Sequence, residues 1–535
     1  MTAVLAFVRR LAPCVAAACA VARALPGVSQ PAEARLVRID TATFAEIAVE
    51  GSSVLASDEL EELTLAYENR PISFENLQSL QQELSRRYVE RGYVTSGVLL
   101  PDQAAGRRVV LHAVEGELTS VIVEGNRRLS DGAIERRTVH YVDTPLNIAD
   151  LQRGLRNLQN DPLVDRVNAE LEPGAELGQS TLRIGVTERP PLELTVFAGN
   201  DRAASIGENH GGVGVTYRGL VGNGDALTGR FGGTNGANDN ALLYHVPLAP
   251  GGMALDIAAS EQDADIVEEP FAAIDIASRI ETFSLTASRP FVDTGQRRLS
   301  GFVAFEHMRS ESTLLDTPFS FSAGEIDGKA RGSTLGFGIE WMRRNGPHAL
   351  VARATAKVGV DALDPTEHED APDADFTALI GQLQYARGLA WRDSRLVVRG
   401  LVQLTNDPLL AMYKMPIGGR YTVRGYRESQ LVRDQGLATS VEYQFPAAID
   451  ASGQRRGKLD VAVFADYGTS IDEIEPLIGS RRESLASVGA GLLWDPLPGL
   501  HLELYLGDDL IDQGNTDESL QDRGIHYNLS FGRQF

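Results

Sequence analysis

Through the second half of the chain, apolar and polar residues alternate one by one. Leu396, Val398, Gly400, Val402 and Leu404 fall on one parity, with Arg395, Arg399, Gln403 and Thr405 on the other. Leu335, Phe337, Ile339 and Trp341 oppose Gly336, Gly338 and Glu340, and Leu502, Leu504 and Leu506 oppose His501, Glu503 and Tyr505. A period of two sends successive side chains to opposite faces of a strand, so these segments predict strands with one apolar and one polar face. Helical periodicity nearly vanishes beyond residue 192. A soluble sandwich also alternates, but its connections rarely reach the length and acidity of Ser260 to Glu269 or Asp361 to Asp375. Long connections on one side and short turns on the other suit a closed transmembrane barrel, and residues 193–535, at about 20 per strand and connection, give about sixteen antiparallel strands. The final strand places Ile525, Tyr527, Leu529, Phe531 and Phe535 on one parity, interrupted by Arg533. A barrel that closes its last strand on its first has reason to stop there, because an overhang leaves unpaired backbone in lipid. Tyr527, Leu529, Phe531 and Phe535 are thus the expected barrel-closing residues.

Ahead of residue 192 the period changes. Leu60, Leu63 and Tyr67 form a helical stripe after Ser57, and Leu77, Leu80, Leu84 and Tyr88 form a second after Ser73, stopped by Gly92. Strands are expected over Tyr93 to Leu100 and Arg108 to Val114, with a turn through Pro101, Asp102 and Gly106. A second unit of the same kind begins with Val121-Ile122-Val123 and Gly125-Asn126. It predicts helices starting near Ser130 and after Asn147, the latter carrying Leu151, Leu155 and Leu158 on one face. Val167, Ala169 and Leu171, then Leu182, Ile184 and Val186, mark two closing strands, and Pro190-Pro191 a stiff boundary. These patterns divide the chain into two small α/β domains, 36–116 and 117–189, and a barrel, 193–535.

Composition narrows the partners. The chain has 535 residues, 50 Lys and Arg against 73 Asp and Glu, and a formal charge of −23, which opposes any broad phosphate-binding surface. Nucleic acid is not an expected partner. Arg9 and Arg10 precede an apolar stretch from Leu11 to Ala22 that ends in Ala22-Arg23-Ala24, so residues 1–24 read as a secretory signal and 25–35 as a short linker. Both cysteines, Cys14 and Cys19, lie in that signal, which leaves no thiol chemistry expected in the mature chain.

The sequence resembles the outer-membrane transporters of two-partner secretion, which export haemolysins and filamentous adhesins. Arg91-Gly92-Tyr93-Val94, Leu100-Pro101-Asp102-Gln103 and Val114-Glu115-Gly116-Glu117-Leu118 are similar to their first POTRA module, and Val121-Ile122-Val123-Glu124-Gly125-Asn126 to the second. Gly418-Gly419 followed by Val423-Arg424-Gly425-Tyr426 resembles the tip of that family's long loop, which folds back into the barrel. Phe464-Ala465-Asp466-Tyr467-Gly468 resembles the Phe-x-Asp-x-Gly strand motif that receives it. Parity bears on the second motif separately: Leu459, Val461, Val463, Ala465 and Tyr467 form an apolar face, so Phe464, Asp466 and Gly468 are expected to face the lumen. Arg424 is then expected to pair with Asp466, since an Arg in a confined lumen needs a carboxylate and its fork makes two charge-assisted hydrogen bonds. A lone Arg-Gly-Tyr would instead read as a solvated turn.

The resemblance implies an outer-membrane barrel with periplasmic POTRA modules that capture an unfolded exoprotein and export it. It implies as partners a large, β-helical secreted client, outer-membrane lipid, and the barrel assembly machinery during biogenesis. Tyr88 and Tyr93 are the first candidates for client capture, although a helix-facing Tyr88 also reads as core. Family members often carry a pore-plugging helix ahead of the first module. The ten or so residues before Leu36 are too few for a helix and its tether, so this chain is expected to lack one. Competing readings are a factor that inserts other barrels and a passive solute channel. No catalytic site, cofactor, nucleotide or metal is expected: Gly211-Gly212-Val213-Gly214 precedes no helix, Gly328-Lys329-Ala330-Arg331-Gly332-Ser333 has the wrong order for a P-loop, and the 9 His include no helical i, i+4 pair.

Overall fold

The computed structural model describes residues 42–102, 107–368, 372–447, 457–475, 479–514 and 518–535. The expected signal and linker, and the start of the first module, lie outside the described residues. No described helix is long and apolar enough to cross a membrane. The chain divides into two compact units, one holding residues 42–84 and 98–113 and the other residues 85–97 and 114–535.

In the first unit, the strand Glu46–Glu50 runs parallel to Arg108–Val114. Helix Ser57–Leu65 and residues 74–84 of helix Phe74–Glu90 belong to the same unit. Ile47, Leu77, Leu80, Leu84, Val98, Val109 and Leu111 are buried, the helical ones at the spacing of the leucine stripe. Two expectations shift. Ser57 opens its helix instead of capping it; the cap is Ala56, without a side-chain hydrogen bond, and Tyr67 lies past the helix end. Between Tyr93 and Leu100 only Gly97–Leu99 is strand. The backbone before it is spent on turns, Tyr93 N donating to Tyr88 O at 2.9 Å and Ser96 N to Tyr93 O at 3.0 Å.

The second unit holds a three-stranded sheet, Gln179–Glu188 lying between Glu117–Glu124 and Val164–Pro173. Helix Asp131–Val139 is capped by the Ser130 side chain, which accepts from Ala133 N. Helix Ile148–Gln159 is capped by Asn147, which accepts from Ala149 N. Each cap satisfies a backbone donor that the helix itself leaves free. Leu151, Leu158, Leu182, Ile184 and Val186 close the core with Leu129, Ile134 and Leu163. This module sits on the barrel turn 219–225: Ser130 N donates to Gly222 O at 2.9 Å, Arg128 stacks over Tyr217, and Arg137 joins Asp161 to the Asn223 carbonyl.

The barrel strands are β1 (Leu192–Gly199), β2 (His210–Arg218), β3 (Ala226–Gly233), β4 (Ala237–Pro247), β5 (Ala254–Asp265), β6 (Ile276–Asp293), β7 (Arg297–Leu314), β8 (Lys329–Asn345), β9 (His348–Val360), β10 (Thr377–Gly388), β11 (Arg395–Thr405), β12 (Gln435–Pro446), β13 (Lys458–Ile471), β14 (Arg482–Leu497), β15 (Leu500–Asp509) and β16 (Ile525–Gln534). All neighbours are antiparallel and the sheet is closed, with a two-residue piece, Thr317–Pro318, added to the end of β7. Outward residues are the apolar ones: Phe337, Ile339 and Trp341 on β8, Val463 and Tyr467 on β13, Leu504 and Leu506 on β15 are all exposed. In water such a surface would aggregate; in lipid it is solvated.

Closure is made by Leu529 opposite Ala198 and Phe531 opposite Val196. Phe535 N donates to Leu192 O at 2.7 Å, so the ladder reaches the last residue. Tyr527 shares the outward parity, its hydroxyl donating to Asn209 Oδ1 at 2.8 Å. On the side of the second module the turns include 294–296, 346–347 and 498–499; the far side carries 315–328, the described parts 361–368 and 372–376, 406–434, and the described parts 510–514 and 518–524. One expected loop is shorter than its acidity suggested. Ser260 to Asp265 continues β5 in an unbroken ladder with β6, because Arg279 of β6 pairs with Glu261 and Asp263 and offsets their charge.

Candidate functional site

The connection between β11 and β12, residues 406–434, turns back into the lumen. Its arms, Met415–Ile417 and Leu431–Arg433, pair as a short hairpin. The pairing satisfies backbone groups that would otherwise be stranded inside the barrel. Met415, Ile417, Val423, Tyr426 and Leu431 are buried against the wall residues Ala438 and Leu485.

At the tip, Arg424 is 1% exposed. Its Nε donates to Asp466 Oδ2 at 2.8 Å, its Nη2 to Asp466 Oδ1 at 2.9 Å, and its backbone N to Asp466 Oδ2 at 3.1 Å. That is a bidentate fork with a third bond from the main chain, a geometry Lys cannot make. Nη1 donates to Glu442, and Nη2 also donates to Ser440 Oγ at 2.9 Å. The guanidinium lies over the Phe464 ring at 3.6 Å from its centroid and near Tyr505 at 4.7 Å. One cation thus sits between two carboxylates and two aromatic faces, with every donor nitrogen engaged.

The neighbours of Arg424 fix the backbone. The Tyr426 hydroxyl lies 2.9 Å from the carbonyls of Ala486 and Ile511, donating to one of them, and it accepts from Ile511 N at 3.2 Å. Gly425 has φ +95°, a conformation that calls for glycine, and a Cβ there would stand in tight contact, 3.2 Å from the Gly507 backbone and 3.3 Å from Ser487 Cβ. Each member of the strand motif has a separate job. Phe464 is the stacking face, Asp466 the counter-ion, and Gly468 leaves room for Val423 and Ile417, whose methyls would meet a Cβ at 2.8 and 2.6 Å.

Several participants had no motif to announce them. Glu442 and Ser440 are on β12, Tyr505 on β15, and His526 on β16 accepts from Gly425 N at 3.3 Å. Glu442 was findable: Ser440, Glu442 and Gln444 alternate with Val441, Tyr443 and Phe445, which places the polar set in the lumen. The other loop cations are also held. Arg420 pairs with Glu503, Arg427 with Asp522 and Glu268, and Arg433 with Asp472 and Glu483.

The tyrosines of the first module are placed differently from each other. Tyr88 is fully buried and donates to Glu115 Oε1 at 2.9 Å; it stands edge-on to the half-buried Tyr93, with centroids 6.5 Å apart. Tyr88 is therefore a packing residue with no face open to a client, which corrects its candidacy for capture. Among the described residues, no His, Cys, Asp and Glu are grouped to hold a metal ion.

Comparison with known proteins gives a consistent picture. Residues 178–493 match the family described as haemolysin secretion/activation protein ShlB/FhaC/HecB, and residues 43–116 match the POTRA domain, ShlB-type. The chain is 22% identical over 407 residues to the outer membrane transporter CdiB of Dickeya dadantii (strain 3937), covering 74% of this chain and 70% of that protein. It is 22% identical over 470 residues to the heme/hemopexin transporter protein HuxB of Haemophilus influenzae, covering 84% of this chain and 80% of that protein. The solved structure of CdiB from Escherichia coli superposes with a TM-score of 0.68 at 18% identity, covering 96% of this chain and 94% of that one. BamA from Haemophilus ducreyi lacking POTRA domains 1-3 superposes at 0.57 with 13% identity, covering 92% and 100%. The structural likenesses establish the fold.

Proposed function

This chain belongs to the family of haemolysin secretion/activation proteins ShlB, FhaC and HecB, and we propose from that premise a specific account of how it moves a client. It is an outer-membrane transporter of two-partner secretion with its POTRA domains in the periplasm. The client is a large secreted exoprotein, β-helical once folded, captured unfolded by the periplasmic modules. An extended chain adds a strand to an open module edge, such as Glu117–Glu124 or Val164–Pro173, with backbone hydrogen bonds giving affinity that tolerates many sequences. It then crosses the lumen and folds outside, and folding of the emerged part removes states that could slide back. No chemical fuel enters this scheme, and the chain has no catalytic role.

The observation that carries the account is Arg424 clamped by Asp466 and Glu442 within a closed barrel. In the proposed mechanism this clamp anchors the 406–434 loop to β12 and β13 and keeps the lumen in one defined shape. Untethered, the tip would wander through the route the client takes. The test replaces Arg424 by Ala and, separately, Asp466 by Asn. Barrel folding is followed by heat-shifted migration and surface exposure, and export by client appearing in the medium. Export is expected to fall with folded barrel retained. Unchanged export in R424A would end this account of the loop.

A further inference from the structure

Three times in the barrel wall an inward Phe faces a Gly as its register partner on the adjacent strand: Phe464 and Gly489, Phe302 and Gly338, Phe197 and Gly212. In each case the ring lies flat where a side chain would otherwise be, and a Cβ on the glycine would stand 2.4, 2.1 and 2.5 Å from a ring atom. An arginine lies over each ring: Arg424 at 3.6 Å from the centroid, Arg353 at 4.1 Å, and Arg230 at 4.2 Å. One device is built three times.

The three copies differ in how the charge is met. Arg424 comes from the loop and is neutralised by Asp466 and Glu442. Arg353 and Arg230 come from the wall itself, on β9 and β3, and neither makes an ion pair among the described residues. Some inward cations are paired, Arg218 with Glu193 at 2.6 Å, Lys357 with Glu306 at 2.6 Å, and Arg420 with Glu503, whereas Arg399 on β11 shares the open state of Arg353 and Arg230 among the described residues but has no ring beneath it. A chain with 73 carboxylates against 50 Lys and Arg had counter-ions to spend. Stacking on a ring orients a guanidinium without cancelling its charge, and a charge left open in a lumen with low-dielectric walls projects its field along that lumen. Beside Arg353 a cavity of about 540 Å³ opens by the loop tip; its wall holds Arg399, Gln382 and Gln384 together with Glu503, which is taken by Arg420, and Glu340, the register partner of Arg353, which makes no ion pair with it.

We propose that Arg353 and Arg230 are docking points for the carboxylates of a polypeptide in transit, so that acidic segments of the client are held in the lumen as the loop's own Arg424 is held by the wall, with the charges reversed. Each point offers an oriented fork that takes an Asp or Glu side chain through two parallel hydrogen bonds. The partner is an extended acidic peptide segment. The inference rests on the export reading, but its test uses the purified full chain without export, so either can fail alone.

The test measures binding of a short labelled peptide of alternating Glu and Gly, and of its Gln and Gly counterpart, to the chain in lipid nanodiscs at low salt, by fluorescence anisotropy. The Glu peptide is expected to bind and the Gln peptide to bind far more weakly. R230Q/R353Q is expected to weaken the Glu peptide about tenfold, which corresponds to about 1.4 kcal/mol. R230K/R353K keeps the charge but loses the fork, and is expected to fall between; it also stands in if the Gln variant does not assemble. Equal binding of the two peptides contradicts the proposal. So does undiminished binding of the Glu peptide by the Gln variant, or by the Lys variant standing in for it.

Discussion

Arg424 has two acids, and this sets how its substitutions should rank. R424A leaves Asp466 and Glu442 facing each other's field without a cation, and removal of one partner from a buried pair costs about 3–5 kcal/mol. D466N and E442Q each leave the other acid in place and should cost less. Protease nicking within 406–434 in the otherwise resistant barrel reads the difference: R424A is expected to be cut fastest, and equal resistance in all three variants would contradict the two-acid clamp. G425A should free the tip as well, through backbone strain and the contact with Gly507. Half of this site is legible in the sequence. Alternation along β13 turns Asp466 inward, and two glycines ahead of Val-Arg-Gly-Tyr mark a tight tip. What the sequence concealed were residues whose role arises from closure: Tyr505 and His526 reach Arg424 and Gly425 only because β15 and β16 come round the barrel. Tyr88 shows the opposite error, since an aromatic on a leucine stripe is core first.

At the scale of elements, the loop is held just past its tip as well as at Arg424. Asp522, on the connection 510–524, accepts from Arg427 Nη2 at 2.7 Å. Burial alone would raise its carboxyl, but hydrogen bonds from Arg427 and Ser519 outweigh that and hold it below the usual carboxylate range. A group depressed in the folded state stabilises above its unfolded value, about 3.9 for Asp, and that support is lost as the pH falls through the folded value. Loop protection should therefore weaken in acid below about pH 4, and D522N should abolish that component while leaving neutral-pH behaviour of the tip clamp intact. The final strand makes a second claim. Phe531 faces lipid and Phe535 completes the ladder to Leu192. Removing residues 533–535 should leave β1 with unpaired groups at the membrane edge, and folded barrel in the outer membrane is expected to drop sharply; normal accumulation would contradict the role given to that strand. Strand existence was readable from parity throughout the barrel, whereas strand ends were not. β5 runs through acidic residues because cross-strand Arg279 supports them, a pairing visible only once register is known.

For the molecule as a whole, the apolar exterior and polar interior of the barrel, the seating of the second module on the turn 219–225, and the loop inside all point to transport along the axis. The competing reading, a factor that inserts other barrels, would use the same fold, so the route distinguishes the two activities: sideways through the β1–β16 seam, or along the lumen. Ala198 and Leu529 are register partners across that seam. A disulfide between A198C and L529C, formed by oxidant after the barrel has assembled, would close the sideways route and leave the lumen open. The account predicts that client export continues at the uncrosslinked rate in the oxidised protein; export that stops on oxidation and returns on reduction would contradict it.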